Sequence, residues 1–470
     1  MRGTLVILAI LAVFSAIIIH QLHKRLFGIP VPDGLNPNST FSFQVVGFLF
    51  NFAKDLSRLG TRLGIVNNYH ISVRNLFEKF SYLVLNNSFA DQLEINDTEI
   101  FGSKVRIYKP VNKTKDKKKN DERKDENEKL MPALIYYHGG GWTIGSLAAY
   151  DAFCRRVAVT AQVIVVSADY KQAPEYLYPT AFNQCYNVAV GLLNTGAQYG
   201  VDVKRVMVGG DSAGGNLAAA VTHTVAYVGE KHCRKQYIAG QILIYPSLQM
   251  LNFNLPSYIA NEDGVILSRH DVAEFVSVYL TGNTDIVDAM LAGNHSKHLE
   301  NTTYMSYFKS EESDEGPIRE EENEAGIDDE DETSIENQNI GKPLIEMTDL
   351  VAEALINIKG SPLVARNFRG VPQTLLLSAE CDPLRDEAFL YAKRLKKAGI
   401  DVVHKHYPSF HGFVTVTSEP WPYGTVEARE AIQEMVRFID RMKKMKDKEQ
   451  EEEEQEEEEQ ESQKQKSDVW

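Results

Sequence analysis

The sequence predicts an α/β fold in which a mostly parallel central sheet is flanked by helices. Three observations carry this expectation. Six short apolar runs, each bounded by turn residues, alternate with longer stretches of helical pattern. One of these runs passes through a glycine-rich turn directly into a helix-forming segment. The last helical stretch places Ile432, Met435, Val436 and Ile439 at i, i+3, i+4 and i+7, one apolar face for docking on a sheet.

The elements follow in order. Residues 1–25 read as a signal-anchor transmembrane helix with its flank. Residues 3–19 are uncharged, and as a helix they would span about 26 Å, near the roughly 27 Å hydrocarbon thickness of the endoplasmic reticulum. A cleaved signal peptide is the competing reading, but the run ends in His20-Gln21-Leu22-His23-Lys24-Arg25 without an obvious cleavage site. Arg2 on one side and Lys24 and Arg25 on the other leave the orientation undecided by charge. Sequons at Asn38, Asn86, Asn96, Asn112, Asn294 and Asn301 are candidate glycosylation sites and favour a lumenal domain. The expected placement is therefore the endoplasmic reticulum membrane, single-pass type II, with the catalytic domain in the lumen.

Residues 26–110 read as N-terminal cap helices followed by a first strand. The aromatic pattern of Phe41, Phe43, Phe48, Phe50 and Phe52 fits either a buried helix over the core or a lid touching a membrane. Residues 111–129 are a charged loop of mixed sign without aromatics, unlike a nucleic-acid surface. The catalytic domain is expected over 130–445, with strands at Ala133–Tyr137, Val163–Ser167, Val206–Gly209, Gln241–Tyr245, Thr374–Ser378 and Val402–Tyr407. An acidic insertion at 309–336 (net -12) and an acidic tail at 446–470 (net -8) are too polar to fold alone. They account for the chain's charge of -15, since the remainder carries +5. The four cysteines form no C-x-x-C pair, and no metal or cofactor is expected. One or two disulfides are compatible with a lumenal domain, without a pairing that the sequence specifies.

The chemistry concentrates in three places. Gly210-Asp211-Ser212-Ala213-Gly214 matches G-x-S-x-G between a strand and a helix. There the serine occupies a sharp turn, and side chains at Gly210 or Gly214 would collide with neighbouring backbone. His138-Gly139-Gly140-Gly141-Trp142 follows directly on the run Ala133–Tyr137. Its glycine N–H groups, with that of Ala213, can surround an oxyanion. No Lys-Ser/Thr follows, so the phosphate-loop pattern is absent; His138 reads as structural. Among twelve histidines, His411 stands out, in a loop leaving the last strand and followed by Gly412. Asp382, at the end of the preceding strand, is the favoured orienting acid, with Glu380 and Asp386 as alternatives. The order Ser212, Asp382, His411 would make the serine a nucleophile, the histidine its base and the aspartate the group that fixes the imidazole. The rate should then fall below about pH 6–7, where histidine protonates.

Together these motifs resemble the hormone-sensitive-lipase family of α/β-hydrolases, with the arylacetamide deacetylase and neutral cholesterol ester hydrolase branch most similar. The residues that carry the likeness are 138–142, Asp169-Tyr170, Ala173-Pro174-Glu175, Tyr178-Pro179, 210–216, 382–387 and 411–413. The resemblance implies an α/β-hydrolase fold with a helical cap and an N-terminal transmembrane anchor. It implies a triad at Ser212, Asp382 and His411, and an oxyanion hole of Gly139, Gly140 and Ala213. It also implies metal-free hydrolysis of a small apolar ester, lipid ester or arylacetamide. Thr143 stands where deacetylases of the branch often carry cysteine, so their disulfide does not transfer. A catalytically silent ligand-binding protein on the same fold is the alternative; the complete triad speaks against it.

Overall fold

The structure, a computed structural model, describes residues 28–84, 89–111, 130–231, 238–308, 348–416 and 424–445. The expected anchor, the charged loop from 112 on, the acidic insertion, the acidic tail, and the sequons at Asn86 and Asn112 lie outside the described residues. No helix among the described residues is long and apolar enough to cross a membrane.

Eight strands form one sheet: β1 Leu93–Ile100, β2 Ser103–Pro110, β3 Met131–Tyr137, β4 Ile164–Ala168, β5 Val201–Asp211, β6 Gly240–Ile244, β7 Thr374–Cys381 and β8 Val402–Phe410. Their spatial order is β1-β2-β4-β3-β5-β6-β7-β8. β1 and β2 pair antiparallel, as do β2 and β4; every other neighbouring pair is parallel. The six parallel strands are those the apolar runs predict. The antiparallel hairpin adds one strand more than the sequence suggests. Its outer member β1 is polar, with Glu94, Asn96, Asp97 and Glu99 exposed, and so lacks the apolar run that marks the others. β8 extends three residues past the expected Tyr407. Its Pro408 is tolerated because β8 is an edge strand.

Helices cover both faces: α1 Thr40–Arg62, α2 Tyr69–Val84, α3 Leu147–Ala161, α4 Thr180–Thr195, α5 Ala213–Lys231, α6 Arg269–Thr281, α7 Arg385–Lys397 and α8 at 426–445. Alternate residues of β3 feed opposite cores, as strand geometry requires. Ala133, Ile135 and Tyr137 pack with α4, α5 and α7, whereas Leu134 and Tyr136 pack with α3 and α8. Ile432, Met435 and Ile439 of α8 are buried in that second core, with Val436 partly buried against it. The phenylalanines of α1 divide: Phe43 is buried, Phe48 and Phe50 are half-buried against the core, and Phe41 and Phe52 are exposed. Cys154, Cys185 and Cys381 are free thiols, the first two buried; Cys233 lies outside the described residues.

Candidate active site

The C-terminal ends of β5, β7 and β8 bring three distant side chains together. β5 ends at Asp211, and Ser212 adopts φ +54° before α5 begins at Ala213. A non-glycine residue at positive φ is strained, and here the surroundings enforce it. The Ser212 N–H donates to the Ile244 carbonyl at 2.9 Å, and the Ser212 carbonyl accepts from Asn216 N and Ser247 N, each at 3.1 Å. The flanking glycines are sterically required. A Cβ on Gly210 would sit 2.3 Å from the Gly214 carbonyl oxygen, and one on Gly214 would sit 2.0 Å from the Tyr137 carbonyl oxygen.

His411 follows directly on β8. Its Nε2 lies 3.0 Å from Ser212 Oγ, and its Nδ1 lies 2.8 Å from Asp382 Oδ2. Asp382 is fully buried, and its Oδ1 accepts the Leu384 N–H at 2.8 Å. The alternative acids are engaged elsewhere. Glu380 meets His406 Nε2 at 2.7 Å and Arg385 at 2.5 Å; Asp386 accepts from Ser257 N at 2.8 Å and pairs with Arg385 at 3.2 Å. His404 and His406 both reach Ser378 Oγ, at 2.8 and 2.9 Å, away from the serine turn.

The glycine run after β3 lies beside Ser212, but its first member does not serve as the sequence suggests. The Gly139 N–H donates to Asp211 Oδ1 at 2.9 Å and also meets the Tyr150 hydroxyl at 3.1 Å. It is therefore turned away from an oxyanion, and the expected donor set Gly139, Gly140 and Ala213 is corrected. Among the described residues the N–H groups of Gly140 and Gly141 have no acceptor. Ala213, as the first residue of α5, has no intrahelical one. These three amides line the same cavity as Ser212 and His411. Gly140 has φ +110° and Gly141 φ +58°; a Cβ on Gly141 would lie 2.3 Å from the Phe275 ring.

Asp211 is the residue whose importance the sequence understates. Buried, it accepts from Tyr136 OH at 2.8 Å, Tyr150 OH at 2.9 Å and the Gly139 N–H. Burial pushes its carboxyl up to about 6, with these donors pulling the other way. His138 is structural as expected: its Nδ1 bonds the Gly139 carbonyl at 2.8 Å, its ring stacks on Tyr170, and burial holds it neutral with a pKa of about 4.

Two further residues shape the site without a local sequence signature. Glu387, fully buried, accepts from Leu248 N, Gln249 Nε2 and Tyr258 OH, tying the segment after β6 to α7; burial raises its pKa to about 7. Arg74 of α2 donates to the Thr143 and Ala173 carbonyls, both at 2.6 Å, and pairs with Glu175. It thereby binds the cap to the glycine loop. Only the Ala173-Pro174-Glu175 motif hinted at it.

A cavity of about 290 Å³ opens over Ser212. Its walls are mostly apolar, with Val46, Leu49 and Phe50 from α1, Val73 and Phe77 from α2, and Phe275 from α6. Lys54 and Asp271, paired at 2.8 Å, join α1 to α6 beside it. Among the described residues no cluster of His, Cys, Asp or Glu is arranged to hold a metal ion. The sequon asparagines Asn38, Asn96, Asn294 and Asn301 are exposed, whereas Ser296 of the Asn294 sequon is buried.

Comparison with known proteins matches the chain to a family model described as alpha/beta hydrolase fold, over residues 134–306 and 328–415. The break, residues 307–327, overlaps the acidic insertion. The chain is 30% identical over 438 residues to neutral cholesterol ester hydrolase 1 of Mus musculus, covering 90% of this chain and 95% of that protein. It is 32% identical over 335 residues to arylacetamide deacetylase of Oryctolagus cuniculus, covering 68% and 75%. Among solved structures it resembles an esterase of Pyrobaculum calidifontis, with 26% identity, a TM-score of 0.55 and coverage of 79% of this chain and 93% of that one.

Proposed function

This chain belongs to the alpha/beta hydrolase fold family, and from that premise we propose that it is a serine hydrolase cleaving carboxylic esters or arylacetamides through an acyl-enzyme. The observation that carries the reading is the unbroken relay from Asp382 through His411 to Ser212, at 2.8 and 3.0 Å, beside free backbone N–H groups.

Ser212 Oγ attacks the substrate carbonyl while His411 Nε2 takes its proton. Asp382 accepts from Nδ1–H, so Nε2 presents its lone pair to the serine. The carbonyl oxygen, now negative, meets the amides of Gly140, Gly141 and Ala213 at the N-terminus of α5, where the helix dipole has the matching sign. His411 returns its proton to the departing alcohol or amine, and the acyl group remains on Ser212. Water, deprotonated by the same imidazole, then releases the acid. The apolar cavity suits an apolar acyl or aryl group, and the names of both relatives point to such substrates.

The test is covalent labelling. A fluorophosphonate probe should modify the wild-type chain, and Ser212→Ala should abolish it. Labelling that persists in Ser212→Ala, or an unreactive wild type, would sink the reading and leave the ligand-binding alternative.

The uncharged run at 3–19 and the exposed sequon asparagines support membrane attachment with the catalytic domain in the endoplasmic reticulum lumen. Endoglycosidase treatment should increase gel mobility; unchanged mobility would count against a lumenal domain.

A further inference from the structure

α1 presents two apolar faces, and among the described residues only one is packed into the protein. Val46, Leu49, Phe50 and Ala53 face the cavity. Phe52, Leu56, Leu59 and Leu63, spaced i, i+4, i+7 and i+11, form a second stripe about 100° round the helix. Their exposure rises along the helix from 41% and 43% to 52% and 63%, and Ile65 just beyond reaches 73%. Elsewhere on the described surface, large exposed hydrophobics are mostly isolated, as is normal for a soluble face. Here five fall within fourteen residues, and four of them, Leu56, Leu59, Leu63 and Ile65, line with Leu76 of α2 a shallow groove edged by Lys79.

We propose that this stripe lies in the surface of a lipid bilayer, so that α1 is embedded on one side and forms a wall of the active-site cavity on the other. Three observations select lipid as the occupant. The stripe is straight and continuous, the form that seats an amphipathic helix in a membrane interface. Arg62 and Lys79 are exposed beside it, while Arg58 offsets the one exposed acid of this stretch, Asp55, at 3.8 Å, which leaves a positive border for phosphate headgroups. Finally, Ile29 packs against Gly47 of α1. The ten residues from the end of the uncharged run to Ile29 reach at most about 35 Å, so a membrane holding 3–19 lies within range of α1. The inference rests on the membrane attachment proposed above. It adds that an apolar ester can pass from the bilayer to the cavity along α1.

The test places an environment-sensitive nitrobenzoxadiazole probe on the full chain reconstituted in phosphatidylcholine vesicles. Cysteine is introduced singly by Leu63→Cys, Ser15→Cys or Asp285→Cys, with Cys233 and Cys381 replaced by serine. Lipids brominated along their acyl chains should quench the probe at position 63 at least about threefold more than at the exposed control 285. Quenching at 15 but not at 63 overturns the inference while leaving the attachment standing. It is also the result if residues 1–27 or a second copy of the chain cover the stripe. Quenching at neither overturns both. As a functional arm, Leu59→Glu with Leu63→Glu should lower hydrolysis of a bilayer-dissolved ester about tenfold or more and change that of a water-soluble aryl ester less than about twofold. Equal losses on both substrates would also overturn it.

Discussion

Replacing Asp382 by Asn tests the relay at the point where the geometry is most restrictive. One carboxylate oxygen accepts the Leu384 N–H and the other accepts His411 Nδ1–H, both at 2.8 Å, in a fully buried position. An amide has one acceptor and one donor end. Leu384 N–H can only donate, so the amide oxygen is drawn to it and the NH2 turns to His411. The ring must then offer a lone pair at Nδ1, which puts its single proton on Nε2, pointing at Ser212 Oγ 3.0 Å away. In that tautomer the imidazole cannot accept the serine proton. The opposite amide rotamer restores the tautomer but sets NH2 against a buried N–H, which costs about 1–3 kcal/mol, and it still lacks the charge that stabilises the imidazolium. The expected loss in kcat is about 10⁴-fold, or about 5.5 kcal/mol in the barrier, and no less than about 10²-fold. Turnover of a short aryl ester near pH 8 gives the number, with a thermal melt to show that the fold is retained. A folded variant within tenfold of wild type would refute the assignment of Asp382, and with it the tautomer argument.

Three further predictions follow from the same contacts. Gly140→Ala places a methyl group 2.3 Å from the Ile144 carbonyl oxygen at a positive φ, so the loop must move; kcat should fall about 10²–10³-fold, and a near-normal rate would remove Gly140 from the oxyanion site. Arg74→Ala leaves the Thr143 and Ala173 carbonyls without their donor. We expect kcat/KM to fall about tenfold, with Arg74→Lys restoring little because an ammonium cannot bridge both oxygens; full activity in the lysine variant would show the clamp to be dispensable. Glu387 binds its proton more tightly in the folded protein, at about 7, than in the unfolded chain. Its contribution to stability is therefore present at low pH and is lost as pH rises from about 4.5 through about 7, by up to about 3 kcal/mol. Urea midpoints at pH 5 and pH 8 should differ less in Glu387→Gln than in wild type, and an equal difference would contradict the assignment.

The parts of this fold that the sequence discloses are those with a local signature. The six parallel strands are short apolar runs because helices bury them on both faces. The serine turn is legible because its glycines answer a steric demand within five residues, and His411 because it leaves a strand beside another glycine. β1 was hidden because an edge strand with one solvated face carries no such run. The role of Gly139 is not legible in the sequence for a different reason. Three consecutive glycines show that backbone amides are accessible, but not which way each N–H points. That direction is set by Asp211, 72 positions later, whose carboxylate captures the first amide and leaves the next two. Arg74 and Glu387 act through tertiary contacts, Arg74 with two backbone carbonyls and the Glu175 carboxylate and Glu387 with an amide N–H, a side-chain amide and a hydroxyl, and of these partners only Glu175 lies in a recognisable motif.

Asp211 also explains why the glycine run and the serine turn work as one device. A carboxylate buried at this depth is disfavoured, as its elevated pKa of about 6 records, and an apolar residue of similar size would relieve that cost. Such a residue could not hold the Gly139 amide, nor the hydroxyls of Tyr136 from β3 and Tyr150 from α3. Because Asp211 immediately precedes Ser212, the group that orients the oxyanion loop shares a backbone with the nucleophile. The Gly139–Asp211 hydrogen bond thus ties the glycine loop to the serine turn and sets the position of the stabilising amides relative to the attacking oxygen. Charge stabilisation falls away when donors drift from where charge develops. The buried carboxylate therefore gives up folding stability above its pKa in exchange for fixed placement of the two motifs, the same trade that Glu387 makes between α7 and the segment beyond β6.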